Sequence, residues 1–289
     1  MNPMIGKELR QRMRERRGWL LPTLYLVALG AVVIFFYYFE VTIRRPWDAR
    51  GLQGSEIGGA LFLVLTYAQL SILLLLAPVF SAGSITIEKE QRTLTGLLTS
   101  LLTPLEIWWG KFFASSLFLV LLLVSSLPVL SLVFAFGGIG PLQIVLATLT
   151  TLFVLATVSS IGLYCSAYFR RSVHATAVTY AAIIVITALS AITFAILMSQ
   201  WERQRQVRTE LRAAQGAPTT TEAATGPITP PLWVRAPLYV NPYFLVTLSF
   251  GTAEDWANDG VPSAAVFLVL FLLSFTFAVR QLRRSGEQT

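Results

Sequence analysis

Two side chains could serve as nucleophile or base by type alone, Cys165 and His174, and each is the single residue of its kind. They lie nine residues apart across an expected turn. A base needs geometric reach to its nucleophile and a third group to orient it. The sequence offers no such set, so Cys165 reads as a small apolar packing residue and His174 as a polar residue at a helix edge. One cysteine also excludes an internal disulfide and a cysteine metal cluster. Phosphate chemistry is equally unsupported. The Gly-Lys pairs are Gly6-Lys7 and Gly110-Lys111, and neither has the following Ser/Thr or the upstream Gly of a nucleotide-binding loop. Catalysis by this chain is therefore not expected, and energy for any work must come from elsewhere.

The segment richest in patterned polar residues is 84–111, between two apolar runs. Its first half carries Glu88, Lys89, Glu90 and Arg92 beside Ile87, Leu94, Leu97 and Leu98, a pattern that predicts an amphipathic helix near 85–98. Its second half opens with Thr103-Pro104-Leu105-Glu106. Thr at the cap, Pro at the first helical position and Glu three residues on predict a capped helix leading into the next apolar run. A short amphipathic helix protruding from a membrane face is by shape a docking element.

The positioning elements are apolar. The 289 residues are 55% hydrophobic and 13% charged, with mean hydropathy +0.65. A soluble domain carries roughly 25% charged residues, so lipid is the expected solvent. Six stretches are long enough to span at roughly 20 residues each: about 19–39, 58–80, 112–136, 142–169, 173–198 and 262–279. None contains Asp, Glu, Lys or Arg, which argues against a proton- or ion-coupled pathway. Fourteen of the 22 Lys and Arg fall on the side of the termini and of the loop 84–111. Both termini are thus expected in the cytoplasm, and the net charge of +7 reads as topology and lipid attraction rather than nucleic-acid binding. Trp108 and Trp109 are expected at the inner interface. No cleavable signal peptide is expected, because the basic run leads into a full-length span.

Three flanking segments complete the reading. Asn2 and Pro3 start a basic stretch with Ile5, Leu9 and Met13 on one face and Lys7 and Arg10 among the rest, predicting a helix lying in the membrane plane. Gly137 to Pro141 is a tight hairpin, Pro128 a kink in the third span. Ala156, Ser160, Gly162 and Ser166 give the fourth span a close-packing face. In the long outer loop, 199–261, residues 202–214 are helix-prone and extend the fifth span. Residues 215–231 have a disordered composition, and 232–250, with Asn241, Pro242 and Tyr243, suits a segment dipping into the outer interface.

The pattern of loop 84–111 resembles the permease subunits of ABC-2-type transporters. The matching residues are Glu88, Glu90, Thr93, Leu94, Leu97, Leu98, Thr99, Ser100, Leu102, Pro104, Glu106, Ile107, Gly110 and Lys111. Arg92 stands where the family usually has Gly, and Leu101 where it has the first Pro. The N-terminal Asn2, Pro3, Lys7, Glu8, Leu9 and Arg10 and the later Asn241-Pro242-Tyr243 are similar as well. The resemblance implies a six-span all-α permease in a bacterial cytoplasmic membrane. It would work, as an exporter, with a second permease copy or close paralogue and with two copies of a separate ABC ATPase. ATP and Mg would bind that partner, with no cofactor on this chain. It further implies that Glu88, Glu90, Thr93, Leu94, Leu97 and Leu98 couple to the ATPase, and that 241–243 belong to an outer re-entrant segment. The competing reading is a non-transporting membrane anchor or assembly subunit for a cytoplasmic protein.

Overall fold

The structure, a computed structural model, describes residues 17–40, 54–92, 103–214 and 230–287. The N-terminal residues Ile5, Lys7, Leu9, Arg10 and Met13, the loop residues Thr93, Leu94, Leu97 and Leu98, and most of 215–231 lie outside the described residues.

Among the described residues every regular element is helical. The long helices are α1 (Arg17–Tyr38), α2 (Gly54–Ser81), α4 (Pro104–Ser125), α6 (Pro141–Tyr168), α7 (Ser172–Ala214) and α11 (Val261–Glu287). With their extensions they form six helices long and apolar enough to cross a membrane. Between them lie the short α3 (Thr86–Glu90), α5 (Leu127–Ser131), α8 (Leu232–Arg235), α9 (Pro242–Thr247) and α10 (Ala253–Asp255). Pro128 leaves α4 and α5 as separate helices. Ser126 sits at the break, its N–H shared between the carbonyls of Leu122 and Leu123.

The central helix is α6, which packs against α2, α4, α7 and α11. Ile144, Ala147, Thr151, Val154, Val158 and Gly162 are buried along it, at the three- and four-residue spacing that makes one face. At mid-length these residues meet Leu70, Leu73, Phe118 and Leu122. The outer surface is apolar instead of charged: Val27, Ile34, Phe35, Val185, Leu189 and Leu272 are exposed. Such a contiguous apolar exterior fits contact with lipid, not water.

Two glycines permit close approaches that any side chain would block. A Cβ on Gly162 would lie 2.0 Å from Ser81 Oγ and 2.9 Å from Ser81 Cβ, so α6 crosses the end of α2 at near backbone contact. A Cβ on Gly58 would lie 1.9 Å from the Gly137 carbonyl oxygen. The hairpin there turns through Gly137 and Gly138, with φ of 79° and 85°, values that L side chains rarely adopt.

Three sequence expectations need correction and a fourth is met. The helix expected over 85–98 stops at Glu90. Arg92 takes φ 57°, the left-handed conformation that ends helices and favours glycine; this is the position where the resembled family has Gly. Trp108 is not interfacial: it is fully buried against Phe112, Phe271 and Phe275, whereas Trp109 is exposed. The helical bundle is not free of buried charge, because the helices run past the apolar stretches and bring in Lys111 and Asp259, while Glu40 is buried just beyond α1. Residues 202–214 do continue α7 as helix, making it 43 residues long.

Candidate functional site

At the end of α2 the chain turns through residues 82–85 and enters α3, an elbow of five residues. So short a helix has no stability of its own. Its position comes from contacts with the spans, and three consecutive side chains supply them. Glu88 Oε1 accepts from Lys111 Nζ at 2.5 Å, a pair that is largely buried and joins the elbow to α4. Lys89 Nζ donates to the carbonyl oxygens of Ser166 (3.1 Å), Ala167 and Phe169 (3.1 Å), the last turn of α6 and its cap. Glu90 Oε1 accepts from Ser172 N–H (2.7 Å) and Ser172 Oγ (3.0 Å), the start of α7. Helix ends leave carbonyls and amides without partners and carry opposite partial charges. The cation thus sits on the C-terminus and the anion on the N-terminus.

The elbow's own first amides are capped in return. Ser166 Oγ accepts from Ile85 N–H (2.9 Å) and Thr86 N–H (3.0 Å). Beneath the elbow, Ile85 fills an apolar nest of Trp108, Phe112, Leu163, Ala278 and Leu282 from α4, α6 and α11. Ile87, Gln91 and Arg92 remain exposed on the side away from the bundle. α4 begins in the capping box read from sequence: Glu106 N–H donates to Thr103 Oγ1 (3.3 Å), and Thr103 N–H donates to Glu106 Oε2 (2.8 Å).

At the opposite end, residues 232–250 insert into the bundle. Leu245 and Val246 are fully buried in the same cluster as Leu70, Leu73 and Val154. Polar pairs fix the segment on several sides. Tyr243 OH lies 2.7 Å from Ser71 Oγ and Tyr67 OH 2.5 Å from Thr247 Oγ1, both toward α2. Asn241 Nδ2 donates to Ser190 Oγ on α7 at 3.0 Å, and its Oδ1 caps Tyr243 N–H. Arg235 Nη1 and Tyr239 OH donate to Asp259 at 2.6 and 2.8 Å. Thr252 N–H and, after it, the Thr252 hydroxyl hold the Asp255 carboxyl below the usual carboxylate range. Beside this segment lies a groove of about 400 Å³, lined by Ser71, Leu74, Tyr180, Ile183, Thr187 and Tyr243. Its wall has hydroxyls but no charge.

Of the residues singled out from sequence, the structure brings Glu88 and Glu90 together on α3, and Asn241, Pro242 and Tyr243 together in the inserted segment. It does not bring these two groups to one place. Sequence reasoning gave Lys89 no partner, read Ser166 only as a packing residue, and missed Ser172 and the Arg235–Tyr239–Asp259 cluster. Among the described residues no group of His, Cys, Asp and Glu could hold a metal ion. Cys165 packs among Ala82 and Ala175.

Six apolar helices, α6 packed against four of the others, with an apolar exterior, define a multi-pass α-helical membrane protein. The family model described as ABC-2 family transporter protein matches residues 3–220. The chain belongs to the ABC-2 transporter family of membrane proteins, the transmembrane part of transporters. No curated protein matches it.

Proposed function

We propose that the chain is the permease subunit of an ATP-driven exporter, paired with a second permease copy and two copies of a separate ATP-binding subunit. The observation that carries the reading is the elbow. A five-residue helix tied to α4, α6 and α7 through Glu88, Lys89 and Glu90 transmits a push to three spans at once. Its exposed side, with Ile87 and Arg92, is free to receive one. The basic residues near the elbow and the termini support a cytoplasmic location for this end. Thr93, Leu94, Leu97 and Leu98, and Ile5, Lys7, Leu9, Arg10 and Met13, lie outside the described residues; their sequence pattern supports, respectively, a continued docking surface and a helix in the membrane plane.

The inserted segment around Asn241, Pro242 and Tyr243 acts as a re-entrant outer cap on the pathway. Backbone that leaves the helical pattern at membrane depth is tolerated where protein buries it, and Asn241 and Pro242 are buried. The groove between α2 and α7 supports transport over mere anchoring. Leu75 and Ile184 at its lip are exposed. A groove that is apolar, hydroxyl-bearing and open to lipid suits a neutral amphiphile taken from the membrane, which favours export.

The test is purification through a tag on this chain, followed by mass spectrometry and an ATPase assay. The reading expects a co-purifying subunit with a nucleotide-binding loop, hydrolysis by the complex and none by the isolated chain. Hydrolysis by the isolated chain, or a stable cytoplasmic partner without such a loop, sinks it; the second result is what an anchor subunit would give.

A further inference from the structure

The turn between α6 and α7 is only residues 169–171. It leaves two helix ends side by side, one presenting carbonyls and the other amides. Both are satisfied by consecutive residues of a helix that lies about 80 positions earlier in the chain. Seven hydrogen bonds join the elbow to this hairpin: two from Ile85 and Thr86 to Ser166, three from Lys89, and two from Ser172 to Glu90. Lys89 carries the unusual share. An ammonium has three protons and no lone pair, and here it meets three carbonyl oxygens while half-buried. Its neighbour Arg170 is a like charge in the same turn. A cation seated beside another cation, away from water, stays only if its donors are well used.

Resting on the reading of the elbow as the coupling site, we infer that Lys89 is the positioning residue that makes the α6–α7 hairpin the elbow's output, elbow and hairpin moving as one body. Lys89 holds the α6 carbonyls and Phe169 of the turn while Glu90 holds Ser172, so motion of α3 reaches both arms of the hairpin, the groove-lining α7 among them. Glu88 and Lys111 then serve to brace the same body against α4.

Two measurements separate this inference from the reading beneath it. The first needs no partner. Amide hydrogen exchange of the full chain in lipid nanodiscs should show the amides of Ile85, Thr86 and Ser172, which are held across the elbow–hairpin contact, protected, with Lys89→Met accelerating exchange there at least about tenfold and Lys89→Arg restoring most of the protection. Unchanged exchange in Lys89→Met overturns the inference. The second uses the complex with its ATPase. Spin labels at Ser84→Cys, in the turn that opens the elbow, and at Val173→Cys in a Cys165→Ala background should report one elbow–hairpin distance with and without ATP-vanadate, and two distances in Lys89→Met. A nucleotide-dependent distance in the otherwise native pair overturns it as well. Failure of any ATPase to bind would refute the coupling reading, while the exchange result would still decide the role of Lys89.

Discussion

Replacing Gly162 by alanine tests the packing that holds the elbow in place. The helical preference of Ala over Gly, about 1 kcal/mol, predicts stabilisation if the site has room. The structure predicts the opposite sign. The new Cβ would lie 2.0 Å from Ser81 Oγ and 2.9 Å from Ser81 Cβ, whereas apolar contacts settle at roughly 3.5–4.0 Å. Turning the Ser81 hydroxyl away relieves the first clash but gives up its 2.8 Å bond to Ala77 O, worth about 1 kcal/mol. The second clash remains and forces α6 and the end of α2 apart by somewhat under 1 Å, an overpacking cost of about 1–3 kcal/mol. Set against the helix-propensity gain, the net loss is about 1–3 kcal/mol, or roughly 2–6 °C in melting temperature for a chain of this size. The assay is thermal unfolding in detergent of Gly162→Ala, Ser81→Gly and the double variant. Removing the Ser81 side chain should recover much of the loss, a coupling of about 1 kcal/mol or more. A Gly162→Ala protein as stable as the parent, or strictly additive effects, would refute the reasoning.

Gly58→Ala should be worse than Gly162→Ala, because its Cβ meets the backbone carbonyl of Gly137, which no rotamer change can move; comparing folded yield and melting temperature of the two variants checks the order. Arg235→Met leaves Asp259 with Tyr239 but without its cation, so a loss of about 1–3 kcal/mol is expected, and adding Asp259→Asn should return part of it in the same melts. Glu90→Lys places a cation against the Ser172 amide and near Arg171; normal membrane insertion with ATP hydrolysis no longer responsive to transport is the expected outcome. Intact coupling in that variant would count against Glu90 as part of the coupling site.

The spans were legible because hydropathy over about 20 residues depends on solvent alone. Their ends were not. Lys111 and Glu106 lie inside α4, and Arg203, Arg205 and Arg208 inside α7; charge interrupts an apolar run without interrupting a helix. The capping box at Thr103 was readable because its partners are three residues apart. The elbow's other partners were not, since nothing local links Lys89 to Phe169 or Glu90 to Ser172. The small-residue face of α6 did hint at them: Gly162 and Ser166 both meet the end of α2 and the elbow. Trp108 misled for a related reason. Its side chain suits an interface, and only the arrival of Phe271 and Phe275 from a distant helix buries it.

On the proposed coupling route, energy enters this chain through the exposed side of α3. A photo-crosslinking amino acid at Ile87, in the complex reconstituted with the ATP-binding subunit, tests it most directly. The account predicts an adduct between position 87 and that subunit. Crosslinks confined to lipid or to this chain, in a complex that still contains the ATPase, would contradict it.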